Sequence, residues 1–466
     1  MRRAAAAALA PARFRAASTT HHPHPPHPVP RTASELDAGR AAIGVFTPVT
    51  ASLWIARLQR EAEATLPPAP RTGPVPPAPL DVRYPFSTSP QLRELYRNPW
   101  GAVRLGRVLE DLDSMAGSIA LAHADGGDPR TRPPLLVTAA VDAIWVARLL
   151  AVDKGDLLAR GQVGGRGGEA GRTVSARARF PVPDAARPSS QVVHTGSSSL
   201  DIRIELGEAP AAGAGKAAAS LDPALVALFT FACRDPTTGA PMPVPALAPR
   251  TPWEKRVAAE RGAVAAARRA ARAAAGGAPP PPEVAAAASL LLTEARDAAD
   301  LPSLASPDAV PGAATARSNL FTCQPQHRNL AGRVFGGFLM RRAFELAFAA
   351  AYAFAGRRPA LAGVEEVSFL SPVSVGDLLR LTSRVLHAGP MPGDAARGAV
   401  VVAVDAHVVR PERGDTARSN TFVFQYSVAL APGDGGPALK RALPSSEADA
   451  LAAAEYVVAA GRGGGL

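Results

Sequence analysis

The feature that most narrows the folds open to this chain is an internal repeat. Asn98-Pro-Trp-Gly101-Ala-Val103-Arg-Leu-Gly106 aligns with Asn329-Leu-Ala-Gly332-Arg-Val334-Phe-Gly-Gly337 at a constant offset of 231 residues. Gly155-Asp-Leu-Leu158 returns verbatim as Gly376-Asp-Leu-Leu379, at an offset of 221. Val141-Asp-Ala-Ile144 answers to Val364-Glu-Glu-Val367, and Phe229-Thr-Phe231 to Phe422-Val-Phe424. Four matches in one order mark a duplication. In the first copy, helical spacing over Val103–Leu121 precedes strand patterns at Leu135–Val146, Asp156–Val163, Ser198–Leu206 and Leu225–Cys233. In the second, a helix over Phe335–Ala355 precedes strands at Leu361–Phe369, Asp377–Val385, Ala399–Val409 and Asn420–Leu430. A helix apolar along one face must cover a sheet, so each copy is an α+β unit of one long helix on antiparallel strands. Two such units set edge to edge pair their open sheet edges.

The remaining residues frame these copies. Residues 1–34 contain five Arg and no Asp or Glu, the composition of an organellar transit peptide, with the mitochondrion ahead of the plastid. The His/Pro run at 21–28 reads as a solvated spacer. Residues 35–81 predict a short helix (Val49–Ala64) and a Pro-rich linker, and 82–248 the first unit. Residues 249–316 predict a basic helix over Glu254–Ala275 and a linker, and 317–466 the second unit with a C-terminal helix. The Gly-, Arg- and Pro-rich stretch 164–191 interrupts a hairpin and has no counterpart in the second copy. It reads as a disordered surface loop or a gene-model artefact. The net charge of +11 suggests polyanionic partners, but the arginines crowd into flanking segments without a nucleic-acid motif, so no nucleic-acid partner is expected. The two cysteines, Cys233 and Cys323, lack metal-ligand or disulfide spacing. No apolar stretch reaches the roughly 18 residues of a membrane helix.

The two copies diverge in complementary ways. The second has Asn329 ahead of Gly336-Gly337, where a helix begins. Free N–H groups and the positive dipole end there favour a developing oxyanion, and an Asn amide can donate to a carbonyl or position a water; a tight turn explains the glycines equally well. The first copy carries Glu110, Asp111 and Asp113 on its helix. Glu110 and Asp111 fit a solvated acidic face. Asp113 does not, because Leu109 and Ala116 flank it on the apolar stripe, where a carboxylate is costly without a task or a partner. Its counterpart in the second copy is Phe344. A complete set therefore forms only if the copies meet, with Asp113 facing Asn329. The reverse pairing of Asn98, Gly106 and Glu345 makes a second, degenerate site. His327 reads as a neighbour of the site, and Cys323 has no recognisable base.

Several motifs then point to a family. Val103-Arg-Leu-Gly-Arg107 followed by Leu109-Glu-Asp-Leu-Asp113-Ser-Met, Val137-Thr-Ala-Ala-Val-Asp142 and Gly196-Ser-Ser-Ser-Leu-Asp201 resemble the first domain of the mitochondrial double-hotdog acyl-coenzyme A thioesterases. Phe231-Ala-Cys-Arg-Asp-Pro236 resembles the end of that domain. Cys323-Gln-Pro-Gln-His-Arg-Asn329, Phe335-Gly-Gly-Phe-Leu-Met-Arg341, Glu345-Leu-Ala and Ser371-Pro-Val-Ser-Val-Gly376 match the second domain. The resemblance implies a tandem hotdog, each unit a long helix wrapped by a curved antiparallel sheet. It implies acyl-coenzyme A as substrate, no metal or cofactor, and Asp113 with Asn329 as the catalytic pair. Gly337 is expected to supply a backbone N–H, and Gly336, Phe338, Thr195, Ser198 and Ser199 to line the thioester site, although an ordinary strand start explains the three hydroxyls equally well. Water activation by Asp113 and direct attack by its carboxylate both stay open. By analogy with hotdog assemblies, a homo-oligomer through sheet edges is expected. The rival readings are a non-catalytic acyl-coenzyme A binder and a hotdog dehydratase or hydratase; the latter wants a His beside the acid at the helix start, which neither copy has.

Overall fold

A computed structural model describes residues 47–462 except 77–79, 149, 153–154, 156, 161–190, 210–222, 274–278, 304, 330, 366, 392–393 and 431–437. Residues 1–34, expected to be a transit peptide, and nearly all of the 164–191 stretch lie outside the described residues. The first half runs α1 (Ala51–Ala62), β1 (Val82–Tyr84), α2 (Pro90–Tyr96), α3 (Leu105–Ala124), β2 (Leu135–Val146), β3 (Leu157–Arg160), β4 (Gln191–Thr195), β5 (Ser199–Glu208) and β6 (Pro223–Arg234). Two connecting helices follow, α4 (Pro252–Ala273) and α5 (Pro282–Asp300), then β7 (Ala309–Pro311). The second half is β8 (Arg317–Thr322), α6 (Gly336–Ala355), β9 (Ala360–Val364), β10 (Val367–Ser368), β11 (Leu378–Met391), β12 (Asp394–Arg410), β13 (Asp415–Ala429), β14 (Arg441–Leu443) and α7 (Glu447–Arg462).

The repeat becomes a pseudo-twofold axis. One sheet crosses the molecule in the order β1-β3-β5-β6-β2-β9-β13-β12-β11-β8. Read from its centre outward, each half has the same succession, with β2 answering to β9, β6 to β13, β5 to β12 and β3 to β11. The halves join where β2 pairs with β9, through Ile144↔Val364 and Trp145↔Gly363. The duplicated phenylalanines explain the layering. Phe422, Phe424, Tyr426 and Val428 alternate along β13 and are buried, while Thr421, Val423 and Gln425 between them are less so or point outward. That period of two turns one face of the strand toward the helix. On β6, Phe229 and Phe231 do the same. This is a double hotdog of class α+β: α3 packs against β2, β5 and β6, and α6 against β11, β12 and β13.

Several details depart from the sequence reading. The strand expected over Leu361–Phe369 is broken into β9 and β10, and β10 crosses to pair with β2 at Val367↔Val141. The helix α5 was not anticipated, because its Ala-rich sequence reads as padding. It is held by α7, with Val284 and Ala288 packed on Ala450 and Ala454. The basic helix α4 is less peripheral than its composition suggests. Its Arg261 is buried against Asp142 of β2 and Asp201 of β5, and Thr230 of β6 donates to the same Asp201 at 2.8 Å. Polar groups buried this deeply need such mutual partners.

Candidate active site

Each long helix is entered through the same turn. Asn98 Oδ1 accepts the N–H groups of Trp100 (3.0 Å) and Ala102 (2.9 Å). Asn329 Oδ1 accepts those of Ala331 (3.0 Å) and Arg333 (3.1 Å). Both turns need a left-handed residue three places on, supplied by Gly101 (φ 78°) and Gly332 (φ 74°). The two asparagines therefore share a turn-forming role that explains their repetition. In both, the carbonyl oxygen is engaged and the amide NH2 donates to no acceptor among the described residues. The Asn329 turn folds back on the start of α6, because Phe335 N–H donates to His327 O at 2.8 Å and Arg328 bridges Val334.

At the pseudo-twofold axis α3 and α6 approach through glycine. A methyl group on Gly337 would lie 3.1 Å from the Glu110 Cα, 3.1 Å from the Asp113 Cβ and 2.7 Å from the Phe335 ring. One on Gly336 would lie 3.3 Å from the Asp113 Oδ2. The mirrored contact is Gly106, where a methyl would meet Arg341 and Phe344, each at 3.2 Å. These partners are themselves repeat equivalents: Arg341 answers to Glu110, and Phe344 to Asp113. So Asp113, from one half, is seated on the Gly336-Gly337 helix start of the other. No hydrogen bond joins it to Asn329, whose loop leads into that helix start.

Asp113 is 1% exposed. Its Oδ1 accepts the Thr138 hydroxyl of β2 at 2.8 Å, and Oδ2 faces Gly336 without a partner of regular geometry. Burial pushes its carboxyl up to about 6, against the opposing pull of the Thr138 hydroxyl, the Gly337 N–H and the Arg57 charge. Such a carboxyl is ionised at neutral pH and more basic than a solvated one.

The acidic face expected at Glu110 and Asp111 is absent; both side chains are 1% exposed. Successive helix positions turn by about 100°, so the three acids point to three different neighbours. Asp111 takes the hydroxyls of Thr47, just ahead of α1, and Tyr96 of α2. Burial still pushes it up to about 7. Glu110 points at α6, with Arg341 Nε at 3.4 Å and Arg107 Nη1 at 3.7 Å. Burial pushes it up to about 7, with Arg341 and then Arg107 opposing.

Other expected residues are distributed as follows. Phe338 is buried; His327 stacks on its ring at a centroid distance of 3.9 Å, and Arg341 lies over it at 5.4 Å. His327 thus serves packing, and burial with Arg341 and Arg342 lowers its pKa. Thr195, Ser198 and Ser199 make no hydrogen bond with Asp113, Thr138 or Gly337. Thr195 Oγ1 accepts Leu247 N–H at 3.0 Å. Leu200 faces the same row as Thr138, both being paired with Phe231, so Ser199 one residue earlier turns to the other face of the pleat. The hydroxyl that reaches the acid is Thr138, present in the Val137–Asp142 motif but not singled out there. In the mirrored site, Glu345 is paired with Arg104 (3.2 Å) and Arg342 (3.1 Å). Phe344 fills the acid position within a cluster of Phe348, Phe424 and Tyr426. Asn98 lines only an open cleft with Glu94, Arg97, Pro99 and Arg104. Cys233 and Cys323 are buried, and burial pushes their thiols up to about 11 and about 12. Among the described residues there is no cluster of metal-ligating side chains and no helix long and apolar enough to cross a membrane.

Fold and site together define a fused, pseudo-symmetric hotdog pair with the Asp113 carboxylate of one half seated on a glycine helix start of the other. Residues 331–391 match the Thioesterase superfamily. The chain is 36% identical over 413 residues to chloroplastic acyl-coenzyme A thioesterase 2 of Humulus lupulus, covering 87% of this chain and 86% of that protein. It is 35% identical to mitochondrial acyl-coenzyme A thioesterase 4 of the same plant, over 87% of this chain and 72% of that one. Human mitochondrial acyl-coenzyme A thioesterase 9 matches at 28% over 74% of this chain and 70% of its own length. The chain belongs to the acyl-coenzyme A thioesterase family.

Proposed function

We propose that this protein hydrolyses fatty acyl-coenzyme A to a free acid and coenzyme A at the junction of its halves, with Asp113 as general base. The observation that carries this reading is the buried Asp113 carboxylate seated on a glycine helix start from the other half. Asp113 takes a proton from a water as the water oxygen attacks the thioester carbonyl. The Asn329 amide, its carbonyl oxygen already held by the turn, donates to the developing oxyanion. The Gly337 N–H favours the Asp113 carboxylate in the resting protein, and the partial positive charge at that helix start also favours the developing oxyanion. The carbon–sulfur bond then breaks, the departing sulfur takes the proton from Asp113, and the acid and coenzyme A thiol leave with the Asp113 carboxylate restored. No metal or cofactor takes part in this scheme.

The test is kinetic. Asp113→Asn and Asn329→Ala, each shown to be folded, should lose thiol release from acyl-coenzyme A, and wild-type turnover in both would overturn the assignment. Single-turnover hydrolysis in heavy-oxygen water separates the two chemistries. Label in the acid product alone supports the general base, and label in the Asp113 carboxyl supports direct attack through an anhydride. The relatives' names divide between chloroplast and mitochondrion. We place this protein in the mitochondrial matrix on its Arg-rich, acid-free first 34 residues; a fluorescent fusion accumulating in plastids would overturn that. Assembly through the outer strands β1 and β8 is our reading of quaternary structure, to be checked by light scattering.

A further inference from the structure

The helix α1 lies outside both hotdog units, yet it touches both sides of the junction. Its Trp54 is buried and meets the Phe335 ring edge-on at 5.4 Å, directly before Gly336. Its Arg57 stacks on Trp54 at 5.2 Å and reaches down onto α3. There Nη2 donates to the Ser114 carbonyl and to Ser118 Oγ at 2.6 Å. The guanidinium rests on Gly117, where a methyl group would lie 2.9 Å from Nη2 and 3.2 Å from Nη1. Thr47 and Asp111 anchor the start of this helix to α3. Among the described residues no carboxylate lies within ion-pair distance of Arg57, and its Nε is buried without a partner.

A partly buried guanidinium satisfied only by a carbonyl and a hydroxyl is an expensive way to pack a helix. Its charge is retained at neutral pH even though burial lowers its pKa to about 10, and the Ser114 carbonyl that it meets belongs to the residue next to Asp113, which brings the acid within reach of its field. We propose that Arg57 is a positioning residue for thioester hydrolysis: α1 is a third component of the active site, and its guanidinium joins Thr138 and the Gly337 N–H in favouring the ionised Asp113. The inference rests on the general-base reading of Asp113 for its kinetic consequence, but not for the electrostatic one.

The other charges near Asp113 are committed elsewhere. Glu110, one turn back on α3, is engaged by Arg107 and by Arg341 of α6. Glu345 of α6 is engaged by Arg104 and Arg342. β2 presents Thr138 to the acid. On α1 itself, Arg60 pairs with Asp125 and Glu61 with Arg132. Removal of the Arg57 charge therefore leaves Asp113 facing only a hydroxyl and a backbone N–H.

Two variants of the full chain test this. Arg57→Gln removes the charge and keeps hydrogen-bonding capacity. Gly117→Ala suits a helix better than glycine, so it folds, and it displaces the guanidinium. The ionisation of Asp113 is read directly by infrared difference titration of each protein against the same protein carrying Asp113→Asn. The acid limb of kcat/KM for acyl-coenzyme A hydrolysis is recorded alongside. In both variants the Asp113 titration should move up by about one pH unit, and Arg57→Lys should move it back most of the way. The kinetic limb should follow, with the rate approaching wild type at high pH. An Asp113 titration that stays in place in either folded variant overturns the proposal. A titration that moves while the kinetic limb does not supports the role of Arg57 and sinks the general-base reading instead.

Discussion

Replacing Asp113 by Asn should make the protein more stable and less active, and the gain in stability should depend on pH in a defined way. The carboxyl sits at about 6 in the fold against 3.8 in an unconstrained chain. Because the folded value is the higher one, the unfolded chain releases this proton more readily. The native state is penalised as pH rises through 4, and the penalty is complete above 6. Linkage gives about 3 kcal/mol at pH 8, about half of that at pH 5 and less than about 1 kcal/mol at pH 4. Asn escapes this cost and keeps an oxygen for the Thr138 hydroxyl, and the pull of the Gly337 N–H on the charged form is already contained in the folded value. The gain should therefore be about 3 kcal/mol at pH 8, about half of that at pH 5 and under about 1 kcal/mol at pH 4, in favour of Asn throughout. Urea unfolding of both proteins at pH 8, 6, 5 and 4 measures it, and all other ionisations cancel in the difference. The kcat at pH 8 should fall by about 10²–10⁴. A stability difference that is flat with pH, or that favours the aspartate most strongly at pH 8, refutes the reasoning.

Other substitutions separate roles that overlap in one residue. Asn329→Asp keeps the oxygen that closes the turn and removes the amide donor. It should unfold at the wild-type urea midpoint while kcat drops by about 10²–10³; a fully active Asn329→Asp enzyme would show the turn to be its whole purpose. Asn98→Ala should cost about 1 kcal/mol in unfolding free energy and leave thiol release unchanged. Gly337→Ala forces a methyl against Phe335, Asp113 and the α3 backbone. It should lower stability by about 1–3 kcal/mol in thermal melts and reduce turnover with it. With both thiols buried and held near 11 and 12, iodoacetamide at pH 7.5 should leave activity intact over an hour. Rapid inactivation would reopen a role for Cys323.

The duplication was legible because strand and helix periodicity survive divergence. Leu135–Val146 is bounded as read, and the pseudo-twofold sheet order follows from two like units sharing an edge. Asp113 stood out because a carboxylate on an apolar stripe violates the helix pattern. The same pattern assigns Glu110 and Asp111 to solvent, whereas the fold buries both. What buries them is α1, α2 and α6, three elements remote in sequence, and helical spacing carries no information about those. Thr138 reads as an ordinary strand residue until its register against Phe231 and its contact with Asp113 are known. Trp54 and Arg57 could not be tied to chemistry from sequence, since nothing in a Pro-rich flank announces where its helix docks. The α5 helix was lost for the opposite reason, that alanine-rich sequence carries little contrast between its faces.

The pairing of Glu110 with Arg341 across the pseudo-twofold axis has a consequence for inheritance. Were either half to meet a second copy of itself in this geometry, the buried crossing would set carboxylate on carboxylate, or guanidinium on guanidinium. Like charges at that depth repel strongly. Neither half is thus fitted to be its own mate, although each remains fitted to the other. A gene split between the halves would yield two polypeptides that must be transmitted together, and tandem fusion is the arrangement in which that dependence is always met.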